Sequence, residues 1–372
     1  MTVIDHNVPS TWAQTLTAPL KAALQNPWVE SIVRLGAVED SLRALHPMLS
    51  LSTVRARVVR IAQETADTKT FVLQPNALWN GALAGQFVRV RVEIKGRQVE
   101  RVYSLSSRPG ARRLAITVKR QPGGLVSNYL HEHTQVGDVL TLSQAAGDFV
   151  LPAQLPAKLL LLSAGSGITP VMALLRDLQA RQYAGDLVFF HACRTPADAI
   201  FAQALDGMAL SFPALKRITH FTATAARLTP DTLRWAVPDL DQRATWMCGP
   251  SAFMEAVHGL WQDAAIAAPL HSERFATTPL LPASSPGTPV KVRCAASAQD
   301  FTTRGGDALL VQAERAGLSP KHGCRIGICR SCQCTKTSGT VENLQTSELS
   351  SAPNELIRLC ISAARSDVTL DL

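Results

Sequence analysis

LLLLSAGSGITPVMALLRDLQARQ, residues 159–182, decides the fold. Four consecutive leucines are apolar on both faces, which suits a strand in the middle of a covered parallel sheet. Gly165 and Gly167 break the run, and Ile168–Gln182 then reads as a helix. Downstream the alternation repeats. DLVFFHAC (186–193) is a strand, ADAIFAQAL (197–205) a helix and KRITHFTAT (216–224) a strand. ATWMCGP (244–250) is a fourth strand, before the helix SAFMEAVHGLW (251–261). Strands alternating with helices predict a parallel-sheet α/β domain, assigned to residues 155–276.

Upstream the period is two. VRARVVRI (54–61), TKTFVLQP (68–75), QFVRVRVEI (86–94), RQVERVYSL (97–105), LAITVKR (114–120) and VLTLSQ (139–144) alternate between short turns. Six such strands predict an antiparallel β-barrel over residues 52–154, with a short helix at Leu125–His131. TTPLLPASSPGTP (277–289) is rich in Pro, Ser and Thr and reads as a linker, 277–288. Beyond it, VKVRCAAS, a helix at Asp307–Ala316 and SDVTLDL predict a small α+β domain over 289–372. Residues 1–51 carry Trp12, Leu16, Leu20, Leu24, Trp28 and Ile32 at four-residue spacing, interrupted by Pro19 and Pro27. That is a helical extension. Lys21, Arg34 and Arg43 are too few to anchor it electrostatically to a membrane, so packing on its own protein is expected.

The last domain holds Cys324, Cys329, Cys332 and Cys360, spaced C-x₄-C-x₂-C-x₂₇-C. This is the plant-type spacing for a [2Fe–2S] cluster held by four thiolates. Three ligands share the loop GCRIGICRSC, and the fourth is expected on a distant strand, RLCISAA. Zinc sites pair two short knuckles, and here the first gap is four with no second knuckle. Cys334 is a competing ligand, and Cys332 is preferred because it completes the spacing. Cys193, Cys248 and Cys294 read as small buried residues.

The composition is that of an ordinary globular chain: 372 residues, 46% hydrophobic and 18% charged. Aromatics at 5% speak against a base-stacking nucleic-acid binder. The net charge of +8 is spread without runs of like charge. The N-terminus lacks a secretory signal, and no apolar run reaches the ~18 residues of a membrane span. A cytoplasmic monomer is expected, touching the inner membrane only peripherally, through a partner.

Four further motifs carry chemistry. In SAGSGITP (163–170), Gly165 and Gly167 let a phosphate approach the backbone, and Thr169 opens a helix whose positive end favours anions. A plain tight turn is the alternative. RVYSLSS (101–107) offers Arg101 to a pyrophosphate, Tyr103 to a planar ring and Ser104 to a ring nitrogen. GGLVSNYL (123–130) presents backbone donors and Ser127 at a helix start. MCGP (247–250) sets Cys248 and Gly249 at the C-terminal end of a strand, where open α/β sheets bind ligands. No acid–base pair or nucleophilic triad is evident, and His131, His133 and His271 read as polar surface residues.

Taken in order, these motifs resemble the ferredoxin–NADP⁺ reductase superfamily, specifically flavin reductases with a C-terminal plant-type ferredoxin domain of β-grasp fold. The resemblance covers residues 52–372. It implies that Arg101, Tyr103 and Ser104 bind FAD, with Ser104 near the hydride-accepting nitrogen, and that Gly124, Val126 and Ser127 hold its phosphates. Gly165, Gly167, Thr169 and Pro170 would bind the pyridine nucleotide, with Cys248 and Gly249 beside the nicotinamide. Ser272–Phe275 looks like the family's Glu–Arg–Phe element, which puts Phe275 near the flavin. Ala164 stands where many members have Gly. Arg194 follows the second α/β strand with no acid before Asp198, which favours NADPH over NADH; Arg227 is a candidate helper.

The implied activity is an NAD(P)H:acceptor oxidoreductase, in which a flavin splits a hydride pair for a one-electron cluster. The N-terminal extension, RARVVRI, GDFVLP and RTPAD resemble most the reductase partners of stearoyl-CoA-type, membrane acyl-CoA desaturases. An aromatic-ring or phenylacetyl-CoA oxygenase is the alternative electron acceptor. A redox sensor without turnover is a remote third reading.

Overall fold

The structure, a computed structural model, describes residues 35–275 and 289–372 except 305, 324, 326 and 328–330. The expected stripe before residue 35, and the linker up to residue 288, lie outside the described residues. The chain forms two compact units that meet in sequence between Glu273 and Arg274. No helix among the described residues is long and apolar enough to cross a membrane.

Among the described residues the first unit opens with helix α1, Leu35–Leu45. Its Glu39 carboxylate accepts the backbone N–H of Leu51 at 2.9 Å and of Ser52 at 3.1 Å, which ties the helix to the entry of the barrel. The barrel strands are β1 (Val54–Thr65), β2 (Thr68–Pro75), β3 (Phe87–Ile94), β4 (Arg97–Ser104), β5 (Leu114–Lys119) and β6 (Val139–Leu142). They pair antiparallel in the order β4-β3-β6-β1-β2-β5, and a bridge between Leu105 and Ile116 closes the ring. Alternation turns Val54, Ala56, Val58, Val88 and Val90 inward and leaves Arg55, Arg57, Arg89 and Arg91 outside. Helix α2, Leu125–His133, buries Val126 and Leu130 in the same core.

The second layer is a parallel sheet of β7 (Lys158–Ala164), β8 (Asp186–Cys193), β9 (Leu215–Phe221), β10 (Ala244–Cys248) and β11 (Leu270–Glu273), ordered β11-β10-β7-β8-β9. Right-handed crossovers put α3 (Ile168–Ala180) and α4 (Ala202–Ser211) on one face. They put α5 (Pro230–Ala236) and α6 (Ser251–Asp263) on the other, where Leu233, Val237, Met254 and Val257 pack against Leu160, Leu162 and Phe190. Neither β11 nor α5 is predicted from periodicity. Both are short, four and seven residues, and neither carries a regular apolar period.

Helix α4 starts later than its apolar pattern suggests. Thr195 and Asp198 form a reciprocal capping box around a 3₁₀ turn, and Phe201 then adopts a left-handed conformation, φ +61°. A bulky residue there is strained. Contacts across the unit hold it: its N–H donates to Glu64 Oε2 at 3.3 Å, and the Arg176 guanidinium sits 5.2 Å over its ring. Arg176 also donates to the Ser106 carbonyl, so one cluster ties the β1–β2 end of the barrel to α3 and α4.

In the second unit, β12 (Val290–Cys294), β13 (Gln299–Thr303), β14 (Gln333–Ser338), β17 (Glu355–Arg358) and β19 (Val368–Leu370) form a mixed sheet in the order β13-β12-β19-β14-β17. A small sheet joins β15 (Val341–Asn343), β16 (Leu349–Ser350) and β18 (Ser362–Ala364). Helix α7, Leu309–Arg315, buries Leu309 and Leu310 against the first sheet. Cys360 lies in a 3₁₀ turn, Leu359–Ile361, between β17 and β18 rather than on a strand. The run RLCISAA is apolar enough for a strand, but the chain must change sheets there.

At the N-terminal end of β10, Arg243 is buried and donates to both carboxylate oxygens of Asp186, at 3.0 and 2.6 Å, and to both of Asp239, at 2.9 and 2.7 Å. The guanidinium hydrogen bond holds Asp239 down at about 2. Replacing Arg243 with Leu removes both paired contacts, although Asp239 keeps Lys158 at 3.0 Å, and is expected to cost about 2 kcal/mol. Urea unfolding at pH 7 measures this. The gap between the two proteins should close as the pH falls from about 4 toward 2, where Asp239 loses its charge.

Candidate functional site

Strand β4 ends where β10 and β11 end, and three polar side chains meet there. Ser104 Oγ donates to Glu273 Oε2 at 3.3 Å, joining barrel to parallel sheet. Both residues are buried, at 4% and 9% exposure. Glu273 pairs in register with Cys248, which is fully buried. Burial pushes the Glu273 carboxyl up to about 8, against the opposing Ser104 hydrogen bond. Burial and the neighbouring Glu273 also push the Cys248 thiol up. At neutral pH the site therefore holds a protonated acid, a hydroxyl and a thiol, without formal charge.

The glycine loop is built around this end of the sheet. Gly165–Gly167 form a 3₁₀ turn from β7 into α3. A Cβ on Gly167 would lie 2.2 Å from the Cys248 carbonyl oxygen, so only glycine lets the loop rest on the end of β10. Gly249 fits as tightly, its Cβ position 2.7 Å from the Phe253 ring and 3.1 Å from Ala164 Cβ. Thr169 and Pro170 are buried, and the Thr169 hydroxyl donates to the Ser166 carbonyl at 3.0 Å. They brace the loop from below. Beneath it, Ser163 Oγ meets His191 Nδ1 at 2.9 Å, and burial depresses the imidazole to about 4.

On the barrel side, Arg101 and Tyr103 share a face of β4, with Arg101 donating to the Glu100 carbonyl at 2.8 Å. Burial raises the Tyr103 phenol, with Arg101 opposing. Gly124 caps α2, and Ser127 Oγ accepts the Gln121 N–H at 3.2 Å, within one turn of the helix start. Val126 is buried in the barrel core, where its contact is with the fold. Arg194 is exposed at the end of β8. Its carbonyl accepts the Ala223 N–H at 3.0 Å, which brings the loop bearing Arg227 beside it. The Asp198 carboxylate is occupied, taking the Thr195 N–H at 3.0 Å and hydroxyl at 2.6 Å. Phe275 falls in the second unit.

His133 and His271 are exposed, as expected, and His131 is half-buried. His131 Nε2 lies 2.8 Å from the Val118 carbonyl, and His271 stacks on Trp246 with centroids 4.4 Å apart. Glu273 is the residue that strand periodicity did not single out. Its signal was an acid closing a strand within Ser272–Phe275.

In the second unit, Cys332 and Cys360 are both buried, and the Cys332 carbonyl accepts the Leu359 N–H at 3.1 Å. Gly327, at φ +79°, donates its N–H to Cys360 Sγ at 3.1 Å, and Arg358 donates to the Gly327 carbonyl. Gly327 thus rests against Cys360, a fit for a cluster whose sulfurs accept backbone hydrogen bonds. Cys334 lies inside β14, paired with Ile357. Cys324 and Cys329 lie outside the described residues.

Three family models match along the chain: an oxidoreductase FAD-binding domain over residues 55–151, an oxidoreductase NAD-binding domain over 161–259 and a 2Fe-2S iron-sulfur cluster binding domain over 292–365. An NADPH oxidoreductase of Mycobacterium tuberculosis is 34% identical over 341 residues, 90% of this chain and 88% of that protein. The chain belongs to the ferredoxin–NADP reductase superfamily. A glycine betaine monooxygenase reductase subunit of Pseudomonas aeruginosa is 31% identical over 353 residues, covering 85% of this reductase and 94% of its own length. Phthalate dioxygenase reductase shares the fold at a TM-score of 0.59 and 23% identity, over 86% of this chain and 98% of its own. The reductase is an oxidoreductase using FAD, a nicotinamide nucleotide and a [2Fe–2S] cluster.

A raised carboxyl pKa makes stability fall as pH rises from its unfolded value, near 4.5, through about 8. Glu273→Gln removes that dependence. The wild-type Tm should drop relative to the variant between pH 5 and pH 8, by several degrees, measured by differential scanning calorimetry.

Proposed function

We propose that this reductase draws hydride from NADPH and delivers single electrons to a non-haem iron oxygenase. Residues 52–154 would carry FAD, 155–276 the nicotinamide and 289–372 the cluster, held by Cys324, Cys329, Cys332 and Cys360. The observation that carries the reading is the buried Ser104–Glu273–Cys248 set at the meeting of barrel and sheet. Bound FAD and cluster supply the conversion of a hydride pair into single electrons.

The chain's own residues do the rest. Protonated Glu273 can give its own proton to Ser104, which frees the Ser104 hydroxyl to donate to the ring edge, and the pair carries no charge that would oppose an incoming hydride. Cys248, neutral and small, lets the nicotinamide lie flat against the ring. Arg101 and Ser127 take the FAD phosphates, and the Gly165–Gly167 turn takes those of the nucleotide. With Asp198 engaged in its capping box, no free carboxylate follows β8 to hold a ribose diol, and Arg194, helped by Arg227, is free to meet a 2′-phosphate. Replacing Arg194 with Ala should lower kcat/KM for NADPH by about 10- to 100-fold, the loss of one charge-assisted hydrogen bond. The value for NADH should change less than threefold, measured with ferricyanide as acceptor.

The oxygenase acceptor is supported by the betaine monooxygenase reductase relative, which aligns over nearly its whole length. A membrane acyl-CoA desaturase is the second reading, and it rests on the motifs shared with such reductases and on residues 1–51. Reconstitution separates them. Turnover with a purified Rieske-type oxygenase and none with desaturase-containing membranes supports the first reading, and the reverse result replaces it with the second.

A further inference from the structure

A second charged site lies on the outer face of the barrel, and strand register separates it from the flavin residues. Val88 and Val90 of β3 pair with Tyr103 and Arg101 of β4, so these four share one face. Arg91 pairs with Glu100, and alternation turns that pair to the opposite face. In the same cross-strand row Arg91 pairs with Thr141 of β6, and Thr141 pairs with Arg55 of β1. Two arginines thus stand two strands apart, roughly 10 Å, with only a threonine between them. The short side chain leaves a notch within a cleft of about 610 Å³ that also reaches Arg43 of α1, Glu93 and Asp138.

The charges in this cleft are unevenly satisfied. Arg91 is answered by Glu100 at 3.1 Å. Glu93 takes a hydrogen bond from Gln98 at 3.1 Å, and Asp138 one from the Gln135 N–H at 2.8 Å. Arg55 differs: its Nε is buried with no hydrogen-bond partner among the described residues. Burial and the nearby Arg43 charge hold its guanidinium below its ordinary value, with Glu39 opposing. A guanidinium short of acceptors beside a second cation suits a phosphate, whose oxygens accept in pairs. Further along the same strands, Glu93 and Asp138 keep lone pairs free for hydroxyl donors. The cleft is cationic at one end and hydroxyl-accepting at the other, and its volume suits a small metabolite.

We propose that this outer cleft binds a sugar phosphate, with the phosphate on Arg55 and Arg43 and the hydroxyls toward Glu93 and Asp138. Tyr129 and His133 of α2 also line it, at the far end of the helix whose start is assigned to the flavin phosphates, so its ligand would act on the reductase from beside the electron path.

The test is calorimetric titration of the full-length, FAD- and cluster-loaded protein in phosphate-free buffer, with ribose 5-phosphate, inorganic phosphate and ribose as probes. Ribose 5-phosphate should saturate one site, inorganic phosphate should bind at least tenfold more weakly, and ribose should give no heat. Arg55→Met should weaken ribose 5-phosphate at least tenfold and leave NADPH–ferricyanide turnover unchanged. Thr141→Leu, which fills the notch without touching a charge, should do the same. Absence of saturable binding, or binding indifferent to both substitutions, overturns the proposal. Equal affinity for inorganic phosphate and ribose 5-phosphate overturns the sugar assignment.

Discussion

A carboxyl buried between two sheets governs the first unit. Glu273 ends β11 and meets Ser104 at the end of β4, so the strand termini of barrel and parallel sheet are fixed against one another at a single hydrogen bond of 3.3 Å. Desolvation makes this contact tolerable only when the acid is protonated. The same condition suits the hydride-accepting role proposed for this site, since a carboxylate there would repel the incoming charge. The glycine loop and the thiol of Cys248 are arranged around that point. The Arg176–Phe201–Glu64 cluster braces the unit away from it, and a strained left-handed phenylalanine persists there because neighbours on both sides fix it.

Sequence patterning reached most of this architecture because the strongest signals are periodic. Six alternating segments gave the barrel, and LLLL followed by glycines gave the central parallel strand. Ser104 and Cys248 stood out because each closes a strand, and the structure brings both to Glu273. The losses share a physical cause. β11 and α5 are too short for a period to declare itself. The start of α4 was displaced by side-chain capping at Thr195 and Asp198, a local hydrogen-bond choice that an apolar pattern does not encode. Glu273 escaped periodicity because its importance lies in a partner 169 residues away.

The second unit reads differently. Its four-cysteine spacing announced the cluster, yet Cys360 sits in a 3₁₀ turn where the chain passes from one sheet to another. Placing a cysteine at such a crossing lets two sheets share the constraint of holding it. Gly327 shows how the loop accommodates this: its N–H reaches Cys360 Sγ, and a Cβ there would lie 2.8 Å from the Ile361 side chain.

The parallel sheet also carries one row of polar side chains across all five strands: Glu273, Cys248, Ser163, His191 and Thr219. The remaining rows beneath it are largely leucine, phenylalanine and methionine, which look alike to a neighbouring strand. A strand that slipped by two residues would keep its faces and most of its apolar contacts. It would, however, set a buried acid or imidazole against hydrocarbon. The row therefore works as a vernier, marking the alignment in which Ser163 meets His191 at 2.9 Å and Glu273 is carried to Ser104 at 3.3 Å.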